Sequence, residues 1–391
     1  MKKHFAFVSM PAAGHVNPTL SLVEELLRRG HRVTYAVGPN MLDAVAATGA
    51  EVLRLPSEMP AMPPNPQFTP ERMATMMQHL MDDARHTFPL LREHFREDMP
   101  DAVCYDVATM TGRMLAVELG VPEICLVPNF ASNENFSLRE AIMSDSTGFD
   151  PEMFAEFSRR MEEFSTEMGV PAEPPMSGPP APLNLVFLPR EFQLAAETFD
   201  DRFRFIGPML GSRADQPWQP RDEHAPVLFI SLGTAFNNRP EFYQRCMSAF
   251  GGTRWQVAMS VGQHVDLDDL GEIPANFDVR RSFPQPSVLR HASVFLSHTG
   301  MNSTMESLYY GVPLVAVPQM PEQAANAARA EELGLGRRLD ADTVTAEQLR
   351  ETVEAVAADE AMRARLREMS AALRDCGGAV AGADALEAHL G

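Results

Sequence analysis

A chain of 391 residues and 43.2 kDa is long enough for two ordinary domains. With 45% apolar and 22% charged residues it has the composition of a folded globular protein, and a formal charge of −20 sets it against polyanionic nucleic acid. Lys2 and Lys3 are its only lysines, which excludes enzymes that need a P-loop, Schiff-base or kinase-strand lysine within a folded domain.

The first segment, residues 1–13, puts two lysines before an apolar run. The run is short and is interrupted by Pro11, so it reads as a first strand and not as a secretion signal. Residues 5–9 are that strand, a Gly-containing loop follows, residues 20–29 carry helical spacing, and Gly30 stops the helix before a strand over 32–37. This is one βαβ unit. Residues 56–70 hold six prolines and read as a long irregular connection. Nearby Met59, Met62, Met73, Met76, Met77 and Met81 read either as an adaptable apolar pocket or as ordinary core and loop residues.

His79, Asp82, Asp83 and His86 follow at helical spacing on one side of a predicted helix. A cation site is one reading; a solvated face or an acceptor-pocket wall is the better one, and no bound metal is expected. Asp106 ends a further apolar strand, 102–105. It stands at the same sheet edge as the loop that carries His15, and a carboxylate bonded to one imidazole nitrogen leaves the other to accept a proton. His15 and Asp106 are therefore the candidate catalytic pair. A loop over 129–143, including Phe130, is a second candidate for the acceptor pocket, and the seven prolines of 171–189 forbid continuous regular structure there.

The strand–loop–helix–strand pattern returns at 227–261, predicting a second doubly wound α/β domain. Residues 207–226, rich in Pro, Gly and charge, read as the linker between an N-terminal domain, 1–206, and a C-terminal domain, 227–372. Near the end, Thr345 and Gln348 form a capping box for one long amphipathic helix to about Leu373. A final helix within 373–391, after Gly377 and Gly378, has the option of packing back on the N-terminal domain.

Residues 294–297 are an apolar strand that runs into His298-Thr299-Gly300-Met301-Asn302-Ser303, with a helix following to Tyr310. Strand, short Gly turn and helix N-terminus present backbone N–H groups to an anion. Ser303-x-x-Glu306 matches a capping box, which alone accounts for both residues; binding the two hydroxyls of a ribose is the alternative for Glu306.

Pro284-Gln285, His298-x-Gly300-x-Asn302-Ser303-x-x-Glu306, Gly311-Val312-Pro313, Pro318 and Glu322-Gln323-x-x-Asn326 stand in an order that resembles the donor motif of the UDP-glycosyltransferases. The stretches 12–18 and 231–236 extend the likeness to both halves, nearest to the bacterial macrolide-type branch. The resemblance implies a GT-B fold, two Rossmann-like domains facing across a cleft, the first binding an acceptor and the second a nucleotide sugar. It implies that His15 is a general base and Asp106 its partner. His298, Gly300, Asn302 and Ser303 would hold the diphosphate with help from Thr234, Glu306 the ribose, and Glu322 with Gln323 the sugar. Phe283 and Gln285 complete the donor set. Where family members often carry an aromatic stacker this chain has Ser282, so the base is left open between uridine and thymidine.

The expected reaction is inverting transfer of a sugar, glucose above others, to a hydroxyl of a hydrophobic macrolide, polyketide or phenol. No cofactor is expected beyond the co-substrate, UDP-glucose or a dTDP-sugar. A nucleotide-sugar 2-epimerase and a non-catalytic nucleotide-sugar binder are the alternatives; the His15–Asp106 pair favours transfer. A nicotinamide dehydrogenase is set aside because a glycine fingerprint is missing. Cys104, Cys125, Cys246 and Cys376 stand apart with no CxxC pair, which predicts a reducing cytoplasm and no structural zinc. No 18-residue apolar stretch predicts a membrane span. Nothing in the sequence sets an oligomeric state.

Overall fold

The computed structural model describes residues 1–59, 69–143, 151–172, 178–211 and 215–391. They form two compact units: the first runs to Met209 and takes back Cys376–Gly391, and the second is Leu210–Asp375.

In the first unit the order is β1 (His4–Val8), α1 (Ala13–Arg28), β2 (Arg32–Val37), α2 (Leu42–Ala46), β3 (Glu51–Arg54), α3 (Pro70–Glu97), β4 (Ala102–Asp106), α4 (Thr111–Leu119), β5 (Glu123–Val127), α5 (Leu138–Met143), α6 (Pro151–Met168), β6 (Leu183–Val186) and β7 (Phe203–Phe205). The strands make one parallel sheet in the order β3-β2-β1-β4-β5-β6-β7. Every residue of β1 and β4 is buried, which is why both read as continuous apolar runs and not as alternating ones. From β1 the chain winds outward to β3, then restarts at β4 on the other side. The β1/β4 boundary is thus the switch point, where open α/β sheets bind ligands at their carboxyl ends. Val8 pairs with Tyr105 across it.

The second unit repeats this plan. Its elements are β8 (Val227–Ser231), α7 (Pro240–Phe250), β9 (Gln256–Ser260), β10 (Phe277–Arg280), α8 (Gln285–Leu289), β11 (Ala292–Ser297), α9 (Met301–Tyr309), β12 (Leu314–Ala316), α10 (Pro321–Glu332), β13 (Gly336–Arg338), α11 (Ala346–Ala358) and α12 (Glu360–Asp375). The parallel sheet runs β10-β9-β8-β11-β12-β13, so its switch point lies between β8 and β11, where Ser231 pairs with Ser297. Two doubly wound α/β sheets are the fold class that the alternating pattern implies.

Several expectations need correction. The stretch 207–226, read as a linker, is divided: 207–209 fall in the first unit, and the described residues from Leu210 to Pro226 fall in the second and pack on it. The Trp218 ring lies 5.8 Å from that of His291, and the Arg221 and Asp222 amides donate to Gln256 at 2.7 and 3.0 Å. The single helix expected from Thr345 to Leu373 is two. Thr345 and Gln348 do form the capping box of α11, but Asp359 breaks the helix, and its carboxylate accepts the Met362 amide at 2.8 Å to start α12. Helix α1 begins at Ala13, well before Leu20, despite Gly14 and Pro18. Val16, Leu20, Leu22, Val23 and Leu26 are buried in the core, and this tertiary burial outweighs local propensity.

The last helix, α13 (Gly378–Leu390), completes the first unit. Ala383 and Leu386 are wholly buried in the core that holds Phe5, Leu22 and Leu26. A side chain at Gly382 would come within 3.1 Å of Leu22 and Ile206, so glycine allows the close approach. Arg29 bonds Glu387 and Asp384, each at 2.7 Å, and His31 Nε2 meets Glu387 at 2.8 Å. Burying Leu386 contributes about 1.5–3 kcal/mol, and the ion pairs, whose Asp384 and Glu387 carboxylates are exposed, contribute less.

Candidate active site

His15 lies in the first turn of α1 and not in a loop. Its Nδ1 is 2.7 Å from Oδ2 of Asp106, the residue that ends β4 and is wholly buried. Oδ1 of Asp106 accepts the Ala108 amide at 2.7 Å, and the Asp106 carbonyl accepts the Thr109 amide and hydroxyl at 2.9 Å. The tight turn after β4 therefore bonds the carboxylate to its own chain, an Asx turn. Gly112 lets α4 start directly over the strand, because a Cβ there would be 2.2 Å from the Tyr105 Cβ. A carboxylate can only accept, so the short contact assigns the proton to Nδ1 of His15 and leaves the basic lone pair on Nε2. The adjacency of β1 and β4 explains how residues 91 apart in sequence meet.

In the second unit β11 ends at Ser297 and α9 starts at Met301. Thr299 makes the turn with φ of 59°, a left-handed conformation that costs an L-residue about 1–2 kcal/mol. Neighbours hold it there. Its amide donates to Ser297 Oγ at 3.0 Å, its hydroxyl to the Gln323 carbonyl at 3.1 Å, and its carbonyl accepts from Asn326 at 3.0 Å. Gly300, at φ −57°, is needed for room and not for its backbone: a Cβ there would lie 2.6 Å from Nε2 of His298. Gly233, in the loop after β8, has both needs, with φ of +78° and a Cβ position 2.4 Å from the same nitrogen. Burial pushes the His298 imidazole down to about 4, partly opposed by the Ser231 carbonyl, so the ring is neutral near pH 7. Its Nδ1 is buried without a hydrogen-bond partner among the described residues.

Thr234 is exposed in the loop after β8. Gln285, Ser303 and Glu306 are brought together: Gln285 Nε2 donates to Glu306 at 2.7 Å and to Ser303 at 3.1 Å. The capping-box reading of Ser303 and Glu306 is wrong. Gly300 is the N-cap, which places Ser303 inside the helix, and Glu306 is 3% exposed. Asn302 stands on the first turn of α9. Glu322 occupies the first turn of α10, a favourable place for an anion, and bonds Asn326 at 2.9 Å. Gln323 is buried and accepts the Gln319 amide at 2.9 Å. The Phe283 ring is half-buried, edge-on to Phe229 at 6.1 Å and covered by the Arg280 guanidinium at 4.8 Å.

The acceptor-pocket candidates divide. Met59 lines a small cavity with Ser9, Met10, Asp83, Thr109 and Met110, whose walls come from the loops after β1 and β4 but include neither His15 nor Asp106. Met76 and Met77 are half-buried on α3 and are not among that cavity's walls. Met62 lies outside the described residues, as does the side chain of Met73. Met81 is core, and Phe130 is buried with its ring stacked 5.7 Å from Phe192, so both serve packing. His79, Asp82, Asp83 and His86 border an open groove, where His86 Nδ1 contacts its own helix at the Asp82 carbonyl, 2.6 Å away. Burial raises the Asp83 carboxyl, opposed by a hydrogen bond from Ser57. Among the described residues no group of three or more His, Cys, Asp or Glu is placed to hold a metal ion. Among the described residues the four cysteines form no disulfide, and no helix is long and apolar enough to cross a membrane.

Two parallel α/β units, each with polar residues at the switch point of its sheet, are the architecture, and comparison with known proteins shows it to be that of a sugar-transferring enzyme of the GT-B fold. Residues 256–376 match the family model described as the erythromycin biosynthesis protein CIII-like C-terminal domain. Over its full length the chain is 41% identical to the NDP-glycosyltransferase YjiC of Bacillus subtilis, covering 98% of it. It is 37% identical to the demethyllactenocin mycarosyltransferase of Streptomyces fradiae, over 99% of this chain and 86% of that one. The calicheamicin glycosyltransferase CalG4 superposes with a TM-score of 0.88 at 36% identity, covering 100% and 98% of the two chains. The chain belongs to the family of bacterial macrolide and natural-product glycosyltransferases.

Proposed function

We propose that this glycosyltransferase moves a hexose, glucose above others, from a uridine or thymidine diphosphate to a hydroxyl of a hydrophobic acceptor such as a macrolide, another polyketide or a phenol. The observation that carries the reading is the 2.7 Å contact between His15 and the buried Asp106. An alcohol is a weak nucleophile; His15 Nε2 takes its proton as the oxygen attacks the anomeric carbon, and Asp106 stabilises the imidazolium that forms. One in-line displacement inverts the anomeric centre, so an α-linked donor gives a β-glycoside.

The departing diphosphate gains charge as the bond breaks. The N-terminus of α9 supplies oriented amides, and His298 supplies a neutral N–H. These groups do the work that a divalent cation does elsewhere, so the reaction proceeds without a metal and with no cofactor beyond the donor. Glu306 takes the ribose diol, and Glu322 with Gln323 the sugar hydroxyls, a pairing that favours a hydroxyl-rich hexose over a deoxysugar. Met59 and the cavity it lines take part of the acceptor. Four cysteines outside any disulfide, three of them buried, favour a reducing, cytoplasmic setting.

The test is incubation with UDP-glucose and several dTDP-sugars against a panel of polyketides and phenols, in the presence of EDTA. A sugar-sized mass gain with a β-anomeric proton coupling supports the proposal. Transfer only to non-hydroxylated acceptors, retention of configuration, or a strict metal requirement would overturn it.

A further inference from the structure

Asn326 is wholly buried on α10, one turn after Glu322. Its single amide nitrogen serves two acceptors: the Thr299 carbonyl at 3.0 Å and Glu322 Oε1 at 2.9 Å. Its Oδ1 is buried and has no hydrogen-bond partner among the described residues. An amide nitrogen has two hydrogens in a fixed plane, so both acceptors are referred to one rigid fork. One arm of the fork ends on the left-handed residue that aims the turn before α9, and that strained conformation persists only while its surroundings hold it. The other arm ends on the carboxylate assigned above to the donor sugar.

We propose that Asn326 is a positioning residue that locks the Thr299 turn and the Glu322 carboxylate into one register, so that seating the diphosphate and recognising the hexose are energetically coupled. The inference rests on the reading that Glu322 binds donor-sugar hydroxyls. Asn326 itself touches neither substrate nor a reacting atom. An aspartate in its place would lose both donors and set a second negative charge against Glu322; an alanine would take this donor from both acceptors.

The experiment measures affinity for UDP alone and for UDP-glucose by titration calorimetry, and preference for glucose over a deoxyhexose donor by turnover. The proteins compared are wild type, Glu322→Ala, Asn326→Ala and the double variant. Asn326→Ala is expected to weaken UDP alone by about tenfold, the effect of losing one buried hydrogen bond and its strained turn, whereas Glu322→Ala leaves UDP alone within about twofold. Asn326→Ala is also expected to erase most of the hexose preference that Glu322→Ala erases, with no further loss in the double variant, because coupled residues are not additive.

Unchanged preference in Glu322→Ala overturns the sugar-binding reading and is visible in that variant alone. Changed preference in Glu322→Ala with unchanged preference and unchanged UDP affinity in Asn326→Ala overturns the positioning role. If the alanine variant does not fold, Asn326→Ser keeps one donor and can satisfy one acceptor only. It is then expected to retain either UDP affinity or hexose preference, and retention of both by Asn326→Ser overturns the proposal.

Discussion

Nδ1 of His15 and Oδ2 of Asp106 stand 2.7 Å apart although the first belongs to a helix start and the second to a strand end, and the carboxylate is closed off from solvent. Their meeting follows from strand pairing at the switch point of the first sheet. It makes the pair a test of chemistry and not of stability. His15→Ala is expected to lower kcat by about 10²–10⁴-fold while leaving nucleotide affinity unchanged. Asp106→Asn should approach the same loss, because the amide lets the proton settle on the wrong ring nitrogen. Turnover and calorimetry on the same preparations check both.

The neutral state of His298 has a pH signature. Its folded pKa is about 4 against 6.5 in the unfolded chain, so between these values the unfolded form binds the proton that the folded form refuses. Stability is therefore lost as pH falls from about 6.5 towards 4, and nothing is lost through this group above 6.5. His298→Gln should show a smaller drop in urea midpoint between pH 7.5 and pH 5 than the wild type does. UDP affinity of the wild type should carry no His298 step between pH 6 and pH 8.

Gly300 and Gly233 crowd the same nitrogen for different reasons, and alanine separates them. Gly300→Ala adds no left-handed strain but pushes the buried imidazole aside, so donor KM should rise about tenfold, with a stability loss of about 1–3 kcal/mol from overpacking alone. Gly233→Ala carries the same displacement plus about 1 kcal/mol of left-handed strain. Its urea midpoint should fall further, and equal midpoints for the two variants would contradict the geometry.

Glu306 bonds Gln285 and is the residue proposed to bind the ribose. Glu306→Gln should weaken UDP-sugar use by about tenfold and dTDP-sugar use by less, since the deoxyribose has one hydroxyl fewer to lose. Competition between the two donors, read by product mass, gives the ratio.

Leu386→Ala removes buried surface from the first unit's core at a position late in the chain. A loss of about 2–5 kcal/mol in chemical denaturation is expected, with donor affinity unchanged. A surface-like loss below about 0.5 kcal/mol would show that the last helix is not part of that core.

Much of this was legible beforehand. The strands β1, β4, β8 and β11 are largely buried and announce themselves as apolar runs, and the places of His15, Asp106 and His298 after those runs follow from them, whereas their roles come from the family resemblance. What was misread turned on competition between local rules and burial. Gly14 and Pro18 argue against a helix that the core nevertheless imposes on residues 13–28. Ser303 and Glu306 satisfy the spacing of a cap, yet Thr299 absorbs the left-handed angle and moves the helix start to Met301. Phe130 sits in a loop by sequence and in the core by structure. Asn326 was visible only as one letter of a motif; its role depends on a distance to a residue 27 positions away.

The return of α13 to the first sheet has a consequence for synthesis. The ribosome delivers Ala383 and Leu386 only after every strand of both sheets, so the first unit waits through the making of the second with an apolar groove along α1 uncovered. A chain released before α13 is made would expose that groove to chaperones and to other copies.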